Sequence, residues 1–388
     1  MTGAHSPLAP SSAYRWEPCP GSVSLEARYP EQEEDEAAAE GTASHHAGSE
    51  ELLGRPVAIG DKAPNGVLLT EEMIEGATMW TTDVFSVCIA TGTPLNHLQV
   101  EQRVAMPRIH PEAFGTPDTW LYAEQQGTLY VWDYKFGYGV VEHVENWQLI
   151  MYVCGILDLL GIDGRNDQEL WVDMRVVQPR AYHRDGRVRS WRVKASDLRG
   201  FFNKLGAAAA EAMGAHPHTL SGPHCLHCKA AAHCPTLKRA TWSAADYLGG
   251  SAPESLDAES AAYELGLLER IAVLVKARKQ GREADVKARL TRGEVVADWC
   301  LEPTYGHKTW KDGEEAMAIA AGDMCGVDLR KPEAAVTPKQ AEALAAKKGV
   351  VASVIYEYSH TPRTGVKLAR DTNLLNRARA GFGVKLEQ

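Results

Sequence analysis

Three cysteines spaced C-x2-C-x5-C (Cys225, Cys228 and Cys234) constrain this chain most strongly once Cys19 is set beside them. Spacing this tight is that of a metal-binding loop. Cys19 sits in P-C-P-G, a rigid turn where a lone cysteine has no packing role. If the four sulfurs share one centre, everything between Cys19 and Cys234 must fold so that its two ends meet. Four thiolates suit tetrahedral zinc or a [4Fe-4S] cluster. His224, His227 and His233 crowd the same loop, so a local Cys/His zinc site without Cys19 is the alternative. Cys88, Cys154, Cys300 and Cys325 fit no ligand spacing and read as ordinary core or surface thiols.

Thiols used this way belong to a reducing compartment. The first residues, MTGAHSPLAPSSAYRW, lack the charged start and apolar stretch of a signal peptide. No apolar run approaches the ~20 residues that span a bilayer. The expectation is a cytoplasmic protein with no membrane contact. At 388 residues and 44% hydrophobic, the chain can fill a large core and more than one domain.

Hydrophobic periodicity orders the elements. Residues 37–53 and 71–91 read as helices, with Gly54 a C-cap for the first. The period then changes to that of strands in HLQVEQRVAM, DTWLYAEQQ and TLYVWDYKF, with QQGT as a hairpin turn. ENWQLIMYVCGILDLLG is a strongly apolar helix. ELWVDMRVVQPR and VRSWRV are further strands, and residues 196–213 are helical. The pattern makes an α/β core over 14–247, a flexible arm over 1–13 and a linker over 248–256. A helical plus small α/β region over 257–388 completes the chain, with one helix in TPKQAEALAAKKG.

The chemistry lies in the middle. Asp133 and Lys135 in D-Y-K are i and i+2 on a strand and share a face. Tyr134 points the other way but leaves its carbonyl near the site. Asp118 follows Gly115 and Thr116 in G-T-P-D at the start of the adjacent strand. Two carboxylates and a carbonyl make a hard oxygen site for Mg²⁺ or Mn²⁺. Lys135 can orient a water or hold a phosphate oxygen. Gln148 and Tyr152 are i and i+4 on a helix, so they also share a face. Taken singly, D-x-K is most often a surface ion pair and Tyr152 most often core; their order along the chain is what carries the reading. Glu50 and Glu101 read as ordinary surface or supporting carboxylates.

A net charge of -10 does not announce a nucleic-acid binder. Residues 175–204, however, carry nine Lys/Arg against two Asp, and local patches are what bind phosphates. Arg175, Arg180, Arg184, Arg187, Arg189, Arg192 and Lys194 alternate there with Tyr182 and Trp191. Arg184, Arg187, Arg189, Trp191, Arg192 and Lys194 are the candidate nucleic-acid contacts.

Together these segments resemble the RecB-like branch of the PD-(D/E)XK nucleases, particularly its iron–sulfur members among CRISPR-adaptation and AddB-type nucleases. The chain looks like a phage and prophage family that begins S-S-x-x-R-W-x-x-C-P-G-S and E-G-T-A-x-H, here Ser11 to Ser22 and Glu40 to His45. The resemblance covers residues 11–240. Beyond that it thins to Gly306, Trp310 and the TPKQAEAL segment.

The resemblance implies a restriction-endonuclease-like core, a central mixed sheet flanked by helices. It implies a Mg²⁺- or Mn²⁺-dependent DNA exonuclease of phage recombination, repair or replication. His45, rather than His46, joins Asp118, Asp133 and the Tyr134 carbonyl on the metal, with Lys135, Gln148 and Tyr152 assisting. Cys19, Cys225, Cys228 and Cys234 hold a [4Fe-4S] cluster, with zinc as the alternative. The implied partners are DNA, single-stranded or as duplex ends, and a phage single-strand-binding or annealing protein. The glutamate such nucleases carry four residues after the motif histidine is Ser49 here, and Glu50 is the candidate substitute. No ATP-binding G-x4-G-K-[ST] loop is present. The contrasting readings are a non-catalytic nucleic-acid-binding phage accessory protein on the same fold and a zinc-stabilised interaction module.

Overall fold

A computed structural model describes residues 6–29, 36–164, 167–248, 256–296 and 298–300. All of them belong to one unit, Met1–Glu302. The TPKQAEALAAKKG helix, Gly306, Trp310 and Cys325 lie outside the described residues.

The helices are α1 (Ala13–Trp16), α2 (Gly21–Glu26), α3 (Glu36–Leu52), α4 (Glu71–Thr91), α5 (Trp147–Leu159), α6 (Arg199–Ala212), α7 (Pro235–Leu248) and α8 (Ala258–Thr291). The strands are β1 (Gln99–Val100), β2 (Val104–Ala105), β3 (Phe114–Gly115), β4 (Thr119–Ala123), β5 (Thr128–Tyr134), β6 (Trp171–Val177) and β7 (Val188–Lys194). Five strands form one mixed sheet in the order β1-β4-β5-β6-β7, and β2 and β3 pair separately. Only β5 and β6 run parallel, because α5 carries the chain between them.

Strand alternation sorts the core into two layers. Leu129 and Val131 of β5 pack with α5 and α6, where Leu149, Ile150, Val153 and Phe202 are buried. Trp132 and Tyr134 point to the other face and pack with α3 and α4, around Trp80 and Met73. Thr70 caps α4 by accepting from the Met73 N–H, and Gly92 ends that helix in the left-handed region. The observed helix agrees with the expected 71–91. The central mixed sheet flanked by helices is the expected α/β arrangement at that level.

Three expectations change. Residues 6–13 are not a flexible arm: Leu8, Pro10 and Ala13 are buried, and the Ser6 hydroxyl donates to the Glu112 carbonyl at 2.8 Å. A short Pro/Ser-rich stretch carries too few apolar residues to show periodicity, yet these three suffice to plug a core edge. The segment HLQVEQRVAM is not one strand. It breaks at Glu101, whose φ of 53° takes it out of extended geometry. Finally, α8 does not belong with a separate C-terminal region. It packs on the cysteine loop, with Leu274 and Ala277 in one apolar cluster with Cys225 and Leu237.

Candidate active site and cysteine centre

β4 and β5 pair with Thr119 opposite Trp132, so Asp118 falls opposite Asp133 one step beyond the ladder. The Tyr134 N–H, free of β4 at that point, donates to Asp118 Oδ2 at 2.7 Å. That N–H is the group of Tyr134 tied to Asp118. The Tyr134 ring lies on the far face, stacked on Trp80 at 5.1 Å and bonded to the Ser44 hydroxyl.

Asp133 is fully buried. Its Oδ1 accepts from Lys135 Nζ at 2.8 Å and from Gln148 Nε2 at 2.9 Å. Its Oδ2 is buried with no hydrogen-bond partner. An orphaned buried carboxylate oxygen is costly unless a cation satisfies it. Gln148 reaches the site because Asn146 caps α5, accepting from the Gln148 and Leu149 N–H groups. Gln148 also donates to the Tyr152 hydroxyl at 3.2 Å, so the i, i+4 pair acts as a unit.

His45 approaches from α3. Its Nε2 lies 3.2 Å from both Asp118 Oδ1 and Glu101 Oε1. The ring stacks on Trp80 at 5.3 Å. This closeness of α3 to α4 needs Gly48, since a Cβ there would meet the Trp80 ring at 2.5 Å. Of the two adjacent histidines, it is His45 whose ring nitrogen lies beside Asp118 and Glu101.

His45, Glu101 and Asp118 offer donor atoms all within 4.8 Å of one another, a set able to hold a metal ion. Glu101 is thus closer to the chemistry than its sequence suggested. Its strained backbone donates to the Asp118 carbonyl at 3.1 Å, and Ser49 donates to its carboxylate at 3.3 Å. Ser49, at the position where a glutamate was missed, therefore supports a glutamate supplied by another segment. Glu50 is no substitute. It makes a two-pronged surface pair with Arg55, both contacts at 2.7 Å.

The charges are strongly coupled. Burial pushes Asp133 up to about 6, assisted by Asp118 and opposed by Lys135. Burial also opposes ionised Asp118, but His45, Lys135 and the Tyr134 N–H outweigh it and hold that carboxyl below its usual range. Burial disfavours charged His45, yet Asp118 and Glu101 raise it to about 9. Lys135 is likewise raised, because Asp133 and Asp118 overcome its desolvation. A lysine held charged donates hydrogen bonds and stabilises anions. Burial pushes the Tyr152 phenol up, which keeps it a neutral donor.

At the other centre, each cysteine sulfur receives a backbone N–H. Leu220 donates to Cys19 at 3.3 Å, Gly222 to Cys225 at 3.5 Å and Leu237 to Cys234 at 3.5 Å. Ala230 donates to Cys228. Burial raises Cys19 and Cys225 and pushes Cys228 up to about 12, where the nearby Arg15 charge offsets it only in part. Among the described residues the four sulfurs do not form a group with donor atoms all within 4.8 Å, as His45, Glu101 and Asp118 do. One nearby histidine nitrogen is hydrogen-bonded, and the other two rings make aromatic contacts. His224 Nε2 meets the Leu220 carbonyl at 2.8 Å, His233 stacks on Tyr29 at 5.1 Å, and His227 lies edge-on to Tyr14.

The N-terminal segment is tied to this loop by Arg15, which donates to Glu26 and to the His227 carbonyl. Gly21 of P-C-P-G is needed because a Cβ would meet the His218 carbonyl at 2.7 Å. Cys88 and Cys154 are buried core thiols, and Cys300 is exposed.

The basic hairpin divides. Arg175 pairs with Asp83 and Asp173, and Arg180 with Glu40 and Glu72. Arg189 is 2% exposed and cannot meet DNA. Trp191 packs edge-on to Phe201, and Arg192 and Lys194 lie over Trp171. Arg192 pairs in register with Asp173, which lies beside Tyr130, toward the end of the sheet away from Lys135. Arg184 and Arg187 remain exposed, on the loop beside the site. Inward arginines cannot be told from outward ones by composition when β7 is an edge strand with polar residues on both faces.

A family described as "Protein of unknown function (DUF2800)" matches residues 5–373, and the chain belongs to that family. A solved structure titled "Crystal structure of SSO0001" is similar at 10% identity, over 55% of this chain and 92% of that one, with a TM-score of 0.23. Among the described residues, no helix is long and apolar enough to cross a membrane.

Proposed function

We propose that this protein is a metal-dependent DNA nuclease of the RecB-like PD-(D/E)XK kind, acting as an exonuclease, with the cysteine quartet holding a [4Fe-4S] cluster. The observation that carries the reading is the buried Asp133. It faces Asp118, is gripped on one oxygen by Lys135 and Gln148, and leaves the other oxygen unpartnered.

His45, Glu101, Asp118 and Asp133 would hold Mg²⁺ or Mn²⁺. The cation supplies Lewis acidity and neutralises charge as a phosphodiester is attacked by water. Lys135 places a positive charge where a non-bridging phosphate oxygen comes to rest. Gln148 fixes Asp133 and, through its hydrogen bond, the Tyr152 hydroxyl. Asp118 keeps His45 oriented while Glu101 closes the solvent side. For the cysteines, the backbone donors on all four sulfurs and the His224 Nε2 contact with the Leu220 carbonyl support an all-cysteine centre including Cys19 over a local Cys/His zinc site.

The test is substitution of Asp133 and Lys135 by alanine. Each variant should lose cleavage of labelled DNA by roughly 100-fold or more while keeping the wild-type circular dichroism spectrum. Full activity in either would end this assignment.

A further inference from the structure

Two loops leave the sheet beside Asp133 and Lys135. Residues 135–146 follow β5, and residues 178–187 follow β6 and lead into β7. Both carry large side chains that ordinary folding would hide. Tyr182 is 89% exposed, Tyr138 67%, Val144 48% and Val140 47%. Arg184 is 84% exposed at its side chain and lies 3.6 Å from the neighbouring Asp185 carboxylate.

These loops are held firmly from beneath. Gln178 is fully buried, and its amide donates to the Gly137 and Gly139 carbonyls at 3.1 and 2.6 Å. Its oxygen accepts from the Val141 N–H at 3.1 Å and from Arg189 at 2.8 Å. Arg189 in turn donates to the Gly186 and Val141 carbonyls at 3.0 and 2.9 Å. Arg180 lies over the Tyr138 ring at 5.0 Å. A buried amide and a buried guanidinium thus brace two loops whose outer surfaces are aromatic and basic. Bracing of this kind lowers the ordering cost of a ligand that uses those surfaces.

We infer that Tyr138 and Tyr182, with Arg184 and Arg187, form a rigid stacking rim that selects single-stranded DNA at the mouth of the site. Tyrosine rings stack on bases of any sequence, and the arginines meet the phosphates between them. A duplex hides its base faces against one another, so the rim gains from a single strand what it cannot gain from a duplex. The identity of the ligand rests on the nuclease reading; the rim itself rests on the loops.

The test measures binding by the full-length protein without added Mg²⁺ or Mn²⁺, using fluorescence anisotropy. The probes are a labelled oligothymidine and a duplex of equal length. The wild type should prefer the single strand. The double variant Tyr138→Ala/Tyr182→Ala should lose roughly tenfold or more on the single strand and little on the duplex. Tyr138→Phe/Tyr182→Phe should bind as the wild type does, since stacking needs the ring and not the hydroxyl. Unchanged single-strand affinity in the alanine variant, equal loss on both probes, or loss in the phenylalanine variant would each overturn the rim. A wild type that shows the expected pattern but fails to cut with Mg²⁺ would sink the nuclease reading and leave the rim standing. A wild type that cuts while the alanine variant binds normally would do the reverse.

Discussion

The acidic site and the proposed cysteine centre are built in opposite ways. The acidic site is assembled mostly from neighbours: Asp118 and Asp133 face each other across one hairpin, Lys135 follows two residues on, Gln148 stands in the first turn of the next helix, and His45 reaches in from α3. The proposed cysteine centre would draw on the far ends of the core, Cys19 with Cys225, Cys228 and Cys234. The first concentrates hard oxygen donors and leaves one of them unpartnered. The second surrounds soft sulfur donors with backbone N–H groups. A site built locally can lose its chemistry and keep its fold, whereas a site that ties distant segments cannot lose its metal without loosening them.

That contrast can be broken by substitution. The largest effect is expected from Asp118→Asn, which removes the His45 partner and a metal oxygen. Cleavage should fall by roughly 1,000-fold, with the melting temperature little changed in calorimetry. Cys19→Ser should do the opposite. It should release the cysteine-bound metal and lower the melting temperature by roughly 10 °C or more. Retention of metal, read by absorbance near 400 nm and by iron analysis, would remove Cys19 from the centre.

A smaller effect is expected at Gln148→Ala, about tenfold in rate, because the amide fixes Asp133 without touching the phosphate. A loss as large as that of Lys135→Ala would give Gln148 a direct role. The smallest effect concerns salt. Arg184→Glu/Arg187→Glu should flatten the salt dependence of single-strand affinity by about 0.7 per lost phosphate contact. Arg192→Glu, toward the far end of the sheet, should leave it unchanged. Equal flattening in both would move the DNA path along β7.

Much of the local site was legible because strand and helix periods decide which side chains share a face. Asp133 with Lys135 and Gln148 with Tyr152 needed only those periods. Glu101 was not legible as a site residue. Its placement depends on a break in extended structure that no turn residue announces, since a glutamate takes the left-handed conformation. Arg189 misled because an internal brace and a surface cation have the same letter. Leu8 and Pro10 were hidden in an arm-like composition; Leu8 joins the main core, and Pro10 packs beside Gly115, where a Cβ would meet it at 2.6 Å. The docking of α8 on the cysteine loop was equally invisible. It rests on Arg278 donating to the Ala231 and Ala232 carbonyls, a contact that sequence separation conceals.

The most direct measurement is a time course of labelled single- and double-stranded DNA with the wild-type protein in Mg²⁺, in Mn²⁺ and in EDTA. Cleavage with either cation that ends in EDTA and returns when the cation is restored is the predicted result. Intact DNA in every condition, from a folded protein with its cysteine centre loaded, would contradict it.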